Sequence, residues 1–69
     1  MRVLQYVKAN RCHPDDNPYI VADRIYTIVH QNSERFRIID EEGDLFGFSY
    51  VGEPDVYELF EMFYATVES

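Results

Sequence analysis

The chain has 69 residues, 46% of them hydrophobic and 16% aromatic, and its 13 acids against 6 bases leave a net charge of −7. Such a ring content supports one packed core and excludes an acidic disordered tail, so residues 1–69 are read as one domain. Cys12 is the only cysteine, which excludes an internal disulfide and a four-cysteine zinc site and fits a reducing compartment.

The first predicted element is a strand over residues 2–9, where Val3, Gln5, Val7 and Ala9 alternate with Leu4, Tyr6 and Lys8. Neither of its faces is cleanly polar. Asn10 to Pro18 reads NRCHPDDNP, a run of turn formers with two prolines, and predicts a long loop. Tyr19 to Val21 has the composition for a brief pairing within it. Residues 24–31 (RIYTIVHQ) are β-branched and aromatic and predict a central strand. Residues 35–40 place Phe36 and Ile38 on one face and Arg35, Arg37 and Ile39 on the other. Gly43 supplies a positive φ for a tight turn, after which residues 44–51 return with Phe46, Phe48 and Tyr50 on one side. Gly47 falls on the opposite side, where a missing side chain permits a bend or the close approach of another backbone.

Gly52-Glu53-Pro54 then breaks the sheet. Asp55 followed by Glu58 has the form of a helix N-cap with a capping box. Val56, Leu59, Phe60, Phe63, Tyr64 and Val67 recur at helical spacing, which predicts an amphipathic helix over 55–67 with Glu58, Glu61 and Glu68 away from its stripe. Tyr57 and Met62 border that stripe, and both residue types serve interfaces well.

Charge is unevenly distributed. All six bases precede Ile38 and meet four acids there, so the first half carries +2, while nine acids and no base follow Arg37, giving −9. A surface of that sign repels nucleic acid and anionic lipid, whose binding depends on Lys and Arg. No direct nucleic-acid or membrane role is expected. No run approaches the roughly 20 apolar residues of a bilayer span, and nothing near Met1 resembles a secretory leader, so a cytoplasmic location is expected.

Chemical motifs are sparse. Cys12, His13, Asp15 and Asp16 share one loop but lack the spacing of a metal site. His13, as the immediate neighbour of Cys12, is poorly placed to activate it as a nucleophile. The run Asp40-Glu41-Glu42-Gly43-Asp44 lacks alternating calcium ligands, and its twelfth position is Val51 rather than glutamate. With only Gly43, Gly47 and Gly52, there is no phosphate-binding glycine loop. The expectation is a protein without catalysis, metal or cofactor.

Lys8 to Cys12, Tyr19 to Ile28 (YIVADRIYTI) and Ile38 to Gly43 (IIDEEG) together resemble a pattern in small SH3-like proteins encoded by tailed bacteriophages and prophages. That resemblance covers about the first two thirds of the chain and implies a mainly β, SH3-like antiparallel barrel, closed here by the C-terminal helix. Asp23 stands where that family usually has Gly, and Asp tolerates the left-handed conformation such a turn needs. The chain has no Trp and no A-L-Y-D-Y stretch, so recognition of proline-rich peptides is not implied.

Charge and resemblance together give the functional expectation: a phage-encoded acidic interaction protein, in the host cytoplasm, that binds and modulates or inhibits a host protein. The expected partner has a basic surface, such as that of a host nucleic-acid-binding protein. The expected docking residues are Asp40, Glu41, Glu42, Asp44, Tyr57, Glu58, Glu61 and Met62. The alternative is a structural protein that self-associates, as a homo-oligomer, through a free strand edge or the helix.

Overall fold

A computed structural model describes residues 2–67, which form β1 (Arg2–Ala9), β2 (Ile25–Gln31), β3 (Arg35–Ile39), β4 (Leu45–Ser49), a single helical turn α1 (Val56–Leu59) and β5 (Phe60–Thr66). All strand pairings are antiparallel, and the order across the sheet is β4-β3-β2-β1-β5. The sheet is mainly β as expected, but it is not closed: β4 and β5 are its two edges.

The predicted helix over 55–67 does not form. Its beginning is correct, since the Asp55 carboxylate accepts the Tyr57 N–H at 3.0 Å, but α1 ends after four residues and Phe60 has φ −127° and ψ 149°. Glu58 does not complete a capping box, and its carboxylate instead meets Arg11 at 3.1 Å. From Phe60 onward the chain runs beside β1, from Ala9↔Phe60 to Arg2↔Thr66. The competing physics is visible in the residues. Phe60, Phe63 and Tyr64 fit a helical stripe, but FEMFYAT also alternates and is rich in aromatic residues that favour a pleated surface. A helix here would leave one whole edge of β1 unpaired. As a strand, the segment buries Phe60 and half-buries Met62 against the core, and Phe63 stacks on Tyr6 at 4.7 Å. Glu68, counted above among the acids of the second half, lies outside the described residues.

Two bulges explain why β1 and β2 lack clean alternation. Leu4 pairs with Tyr64 but Tyr6 pairs with Phe63, so Gln5 is an extra residue that switches the inward parity from Leu4 to Val7 and Ala9. Ile28 pairs with Ile38 but His30 with Arg37, which makes Val29 the extra residue in β2. The Val29 bulge divides β2. Its first half pairs with β1 and its second half with β3, and the bend brings the two ends of the sheet face to face. Phe60 of β5 then packs edge-on against Phe48 of β4 at 5.0 Å and Phe36 of β3 at 5.9 Å.

Val7, Ile20, Phe36, Ile38, Val56 and Leu59 complete the core, each at most 1% exposed. Ile20 belongs to the long loop, which is fastened by His13↔Ile20 bridging and by the Asp23 N–H to Ala9 carbonyl bond. Asp23 has φ +67°, the left-handed conformation expected of that turn. Gly43 has φ +82°, also as expected.

Candidate protein-interaction surface

The β3–β4 turn is built around one carboxylate. Asp40 is 8% exposed, and its Oδ1 accepts the N–H groups of Glu42 at 2.9 Å and Asp44 at 3.0 Å. Backbone bonds from the Asp40 N–H to Asp44, from Gly43 to Asp40 and from Glu41 to Tyr19 fix the rest of the turn. The Tyr26 hydroxyl accepts the Val21 N–H and donates to Glu41, whose carboxylate also lies 3.4 Å from Arg24. Burial raises the pKa of Tyr26, with the Glu41 hydrogen bond adding to the shift and the Val21 N–H opposing it.

Of the four acids expected to bind a partner in this turn, Asp40 is buried in its scaffold and Glu41 is partly neutralised. Glu42 and Asp44 are exposed, and neither has an ion pair among the described residues. Leu45, 55% exposed, directly follows them and faces Ile39 across the ladder.

The other four expected residues do not join this turn, and no helix presents them together. Glu61 lies on β5 opposite Lys8, a cross-strand arrangement that favours opposite charges, and Glu58 is paired with Arg11. Met62 packs against the core. Tyr57 is exposed on α1, with its ring 6.3 Å from that of Tyr50. Folding sets three acids of the second half against bases of the first: Glu61 opposite Lys8 through the β1–β5 pairing, Glu58 on Arg11 and Glu41 beside Arg24.

Two features of the surface were not anticipated, although Tyr57 in the first of them was an expected docking residue. Tyr50, Tyr57 and Tyr64 gather at one end, and Arg2 lies 4.6 Å over the Tyr64 ring. Burial raises the pKa of Tyr50, and Tyr64 and Tyr57 add to the shift. Reading Tyr64 as part of a helical stripe hid this cluster. The second is a groove of about 510 Å³ on the outer face of β3 and β4, where Arg35 and Arg37 border Gly47 and Ser49. The face assignment of these residues was legible from alternation, and Gly47 was the sequence signal within the groove.

His13 rests edge-on against Phe48 at 6.3 Å, and Cys12 is half-buried. Among the described residues no three of His, Cys, Asp and Glu converge, and no helix is long and apolar enough to cross a membrane. Comparison with protein families, curated proteins and solved structures finds no match to this chain.

Proposed function

We propose that this chain is a non-enzymatic protein-interaction module that docks a basic protein surface through its rigid β3–β4 turn. The observation that carries this reading is the Asp40-centred scaffold, which holds Glu42 and Asp44 exposed and unpaired beside exposed Leu45. A turn ordered before binding loses little conformational freedom when a partner engages it, and unpaired carboxylates accelerate encounter with Lys and Arg. A basic patch on a host nucleic-acid-binding protein is a partner of this chemistry. The motif resemblance to small phage proteins supports a host partner, and the lone cysteine supports the cytoplasm as the meeting place. The bend of β2 and the meeting of Phe48 with Phe60 support an SH3-like reading in which the barrel stays open between β4 and β5.

The test is capture of partners from a bacterial lysate by the tagged chain at low and high salt. A stoichiometric protein is expected, released by salt and lost on combined Glu42→Lys and Asp44→Lys substitution. Combined Glu58→Lys and Glu61→Lys substitution should retain it, since those acids already face Arg11 and Lys8. Absence of any stoichiometric protein, or equal loss in both variants, contradicts the reading.

A further inference from the structure

The free edge of β4 has a defined hydrogen-bonding pattern. The Asp40 N–H binds the Asp44 carbonyl and the Tyr50 N–H binds the Glu34 carbonyl, and the register between those two bonds runs without a shift. In an antiparallel ladder the bonded pairs alternate, so Phe46 and Phe48 bond to β3, whereas the N–H and C=O groups of Leu45, Gly47 and Ser49 point outward from the sheet. No further strand covers them.

Gly47 has no evident role in the fold. Its φ is not positive, and a Cβ placed there would make only ordinary contacts, 3.6 Å from Arg37 Cγ and 3.9 Å from Arg37 Nε. A mid-strand glycine weakens a sheet and commonly marks the close approach of another chain. Those same distances show what the glycine leaves open: the Arg37 side chain lies beside the vacant Cβ position of Gly47, its cross-strand partner, with no side chain on β4 between it and the edge at that position. Arg37 has no ion pair among the described residues, and neither does Arg35 beside it.

We propose that the β4 edge accepts an extended acidic segment of another protein as an added strand, with a carboxylate side chain opposite Gly47 bound to Arg37. A residue opposite Gly47 projects its side chain onto the same outer face. With strands about 4.8 Å apart, the added strand lies about 9.6 Å from β3, a gap that an Arg and a Glu bridge between them when only a glycine stands between. Glu34 lines the groove near its Ser49 end, which places the favoured carboxylate at Arg37 in mid-groove. A second copy of the chain suits the edge less well, because antiparallel pairing about Gly47 sets Gly47 opposite Gly47 and brings no carboxylate to Arg37. This site adjoins the Asp40 turn at Leu45 but rests on Gly47 and Arg37 rather than on Glu42 and Asp44, so substitutions distinguish the failure of one from that of the other.

The probe is a labelled peptide of roughly nine residues alternating Thr and Glu, with a Thr and Lys peptide as its control, titrated with the full chain at about 0.15 M salt, where the long-range repulsion from the net charge of −7 is screened. The Glu peptide should bind at least about tenfold tighter than the Lys peptide. Gly47→Val, which adds a β-favouring side chain where only ordinary contacts await, should fold yet weaken binding about tenfold, as should Arg37→Met. Retention of full affinity by both variants, equal affinity for the two peptides, or no binding overturns the proposal. So does a concentration-dependent dimer that Gly47→Val abolishes without peptide binding, which assigns the edge to a second copy.

Discussion

The side-chain amide of Gln31 takes the place of a strand opposite Leu4: the Leu4 N–H donates to Gln31 Oε1 at 3.0 Å, and Gln31 Nε2 donates to the Leu4 carbonyl. Continuing the β1–β2 register would bring Val29 to Leu4, but the chain bulges at Val29 and leaves to join β3. The amide of Gln31 presents one acceptor and one donor, as a backbone peptide does, and so satisfies the groups that the departing strand abandons. The amide thus satisfies β1 at the point where β2 bends away from it.

Replacing the amide should therefore destabilise the whole domain. Gln31→Leu keeps the volume but leaves two part-buried backbone groups unsatisfied, for an expected loss of about 1–3 kcal/mol in urea denaturation. Gln31→Glu, which at neutral pH keeps the acceptor and loses the donor, should also destabilise. An unchanged midpoint in both variants would show that solvent satisfies Leu4 instead.

The Asp40 turn should respond to loss of its carboxylate. Asp40→Ala removes the acceptor for the Glu42 and Asp44 N–H groups and is expected to cost about 1–2 kcal/mol, whereas Asp40→Asn keeps a carbonyl oxygen and should cost less. The same urea series measures both. Equal stability of Asp40→Ala and the parent chain would place the turn's rigidity elsewhere.

Much of this fold was legible in the sequence, and the failures have physical causes. β1 was found to its ends, and the inward Phe36, Ile38, Phe46 and Phe48 followed from strict alternation in β3 and β4. The bulges at Gln5 and Val29 were invisible because a period-two pattern contains no mark for an inserted residue. β5 was misread because Phe60 and Tyr64, four residues apart, satisfy both periods, and only the unpaired edge of β1 decides between them. That misreading also changed the setting of two expected docking residues: Glu58 and Glu61 were placed on one helix, and the structure puts Glu58 on α1 against Arg11 and Glu61 on β5 opposite Lys8.

The exposed Arg11–Glu58 pair should matter little for folding. The two side chains are 50% and 64% exposed, so Glu58→Gln is expected to change stability by no more than about 0.5 kcal/mol, with little salt dependence. A loss much above that would mark α1 as held in place by charge rather than by buried Val56 and Leu59.

Stability should fall at alkaline pH. Tyr26 and Tyr50 both have raised pKa values, chiefly through burial, so the fold favours their neutral forms. The stabilisation is fully present below the ordinary tyrosine pKa of about 10 and is lost as pH rises through the higher folded values. Urea midpoints measured from about pH 8 to 11 should decline above about pH 10. With Tyr26→Phe and Tyr50→Phe combined that decline should be shallower, and an unaltered slope would assign it to other groups.

The pairing of β5 with β1 sets Glu61 opposite Lys8 and leaves the β4 edge free, and proton NMR tests it directly. The Asn10 N–H bond to the Leu59 carbonyl sets the alternation of this ladder, so Val7↔Met62 and Ala9↔Phe60 are the pairs without mutual hydrogen bonds, whose Cα atoms approach to about 4.5 Å. Strong Hα–Hα cross-peaks are expected between Val7 and Met62 and between Ala9 and Phe60. Their absence, with sequential helical contacts running from Tyr57 to Val67 instead, would contradict the account.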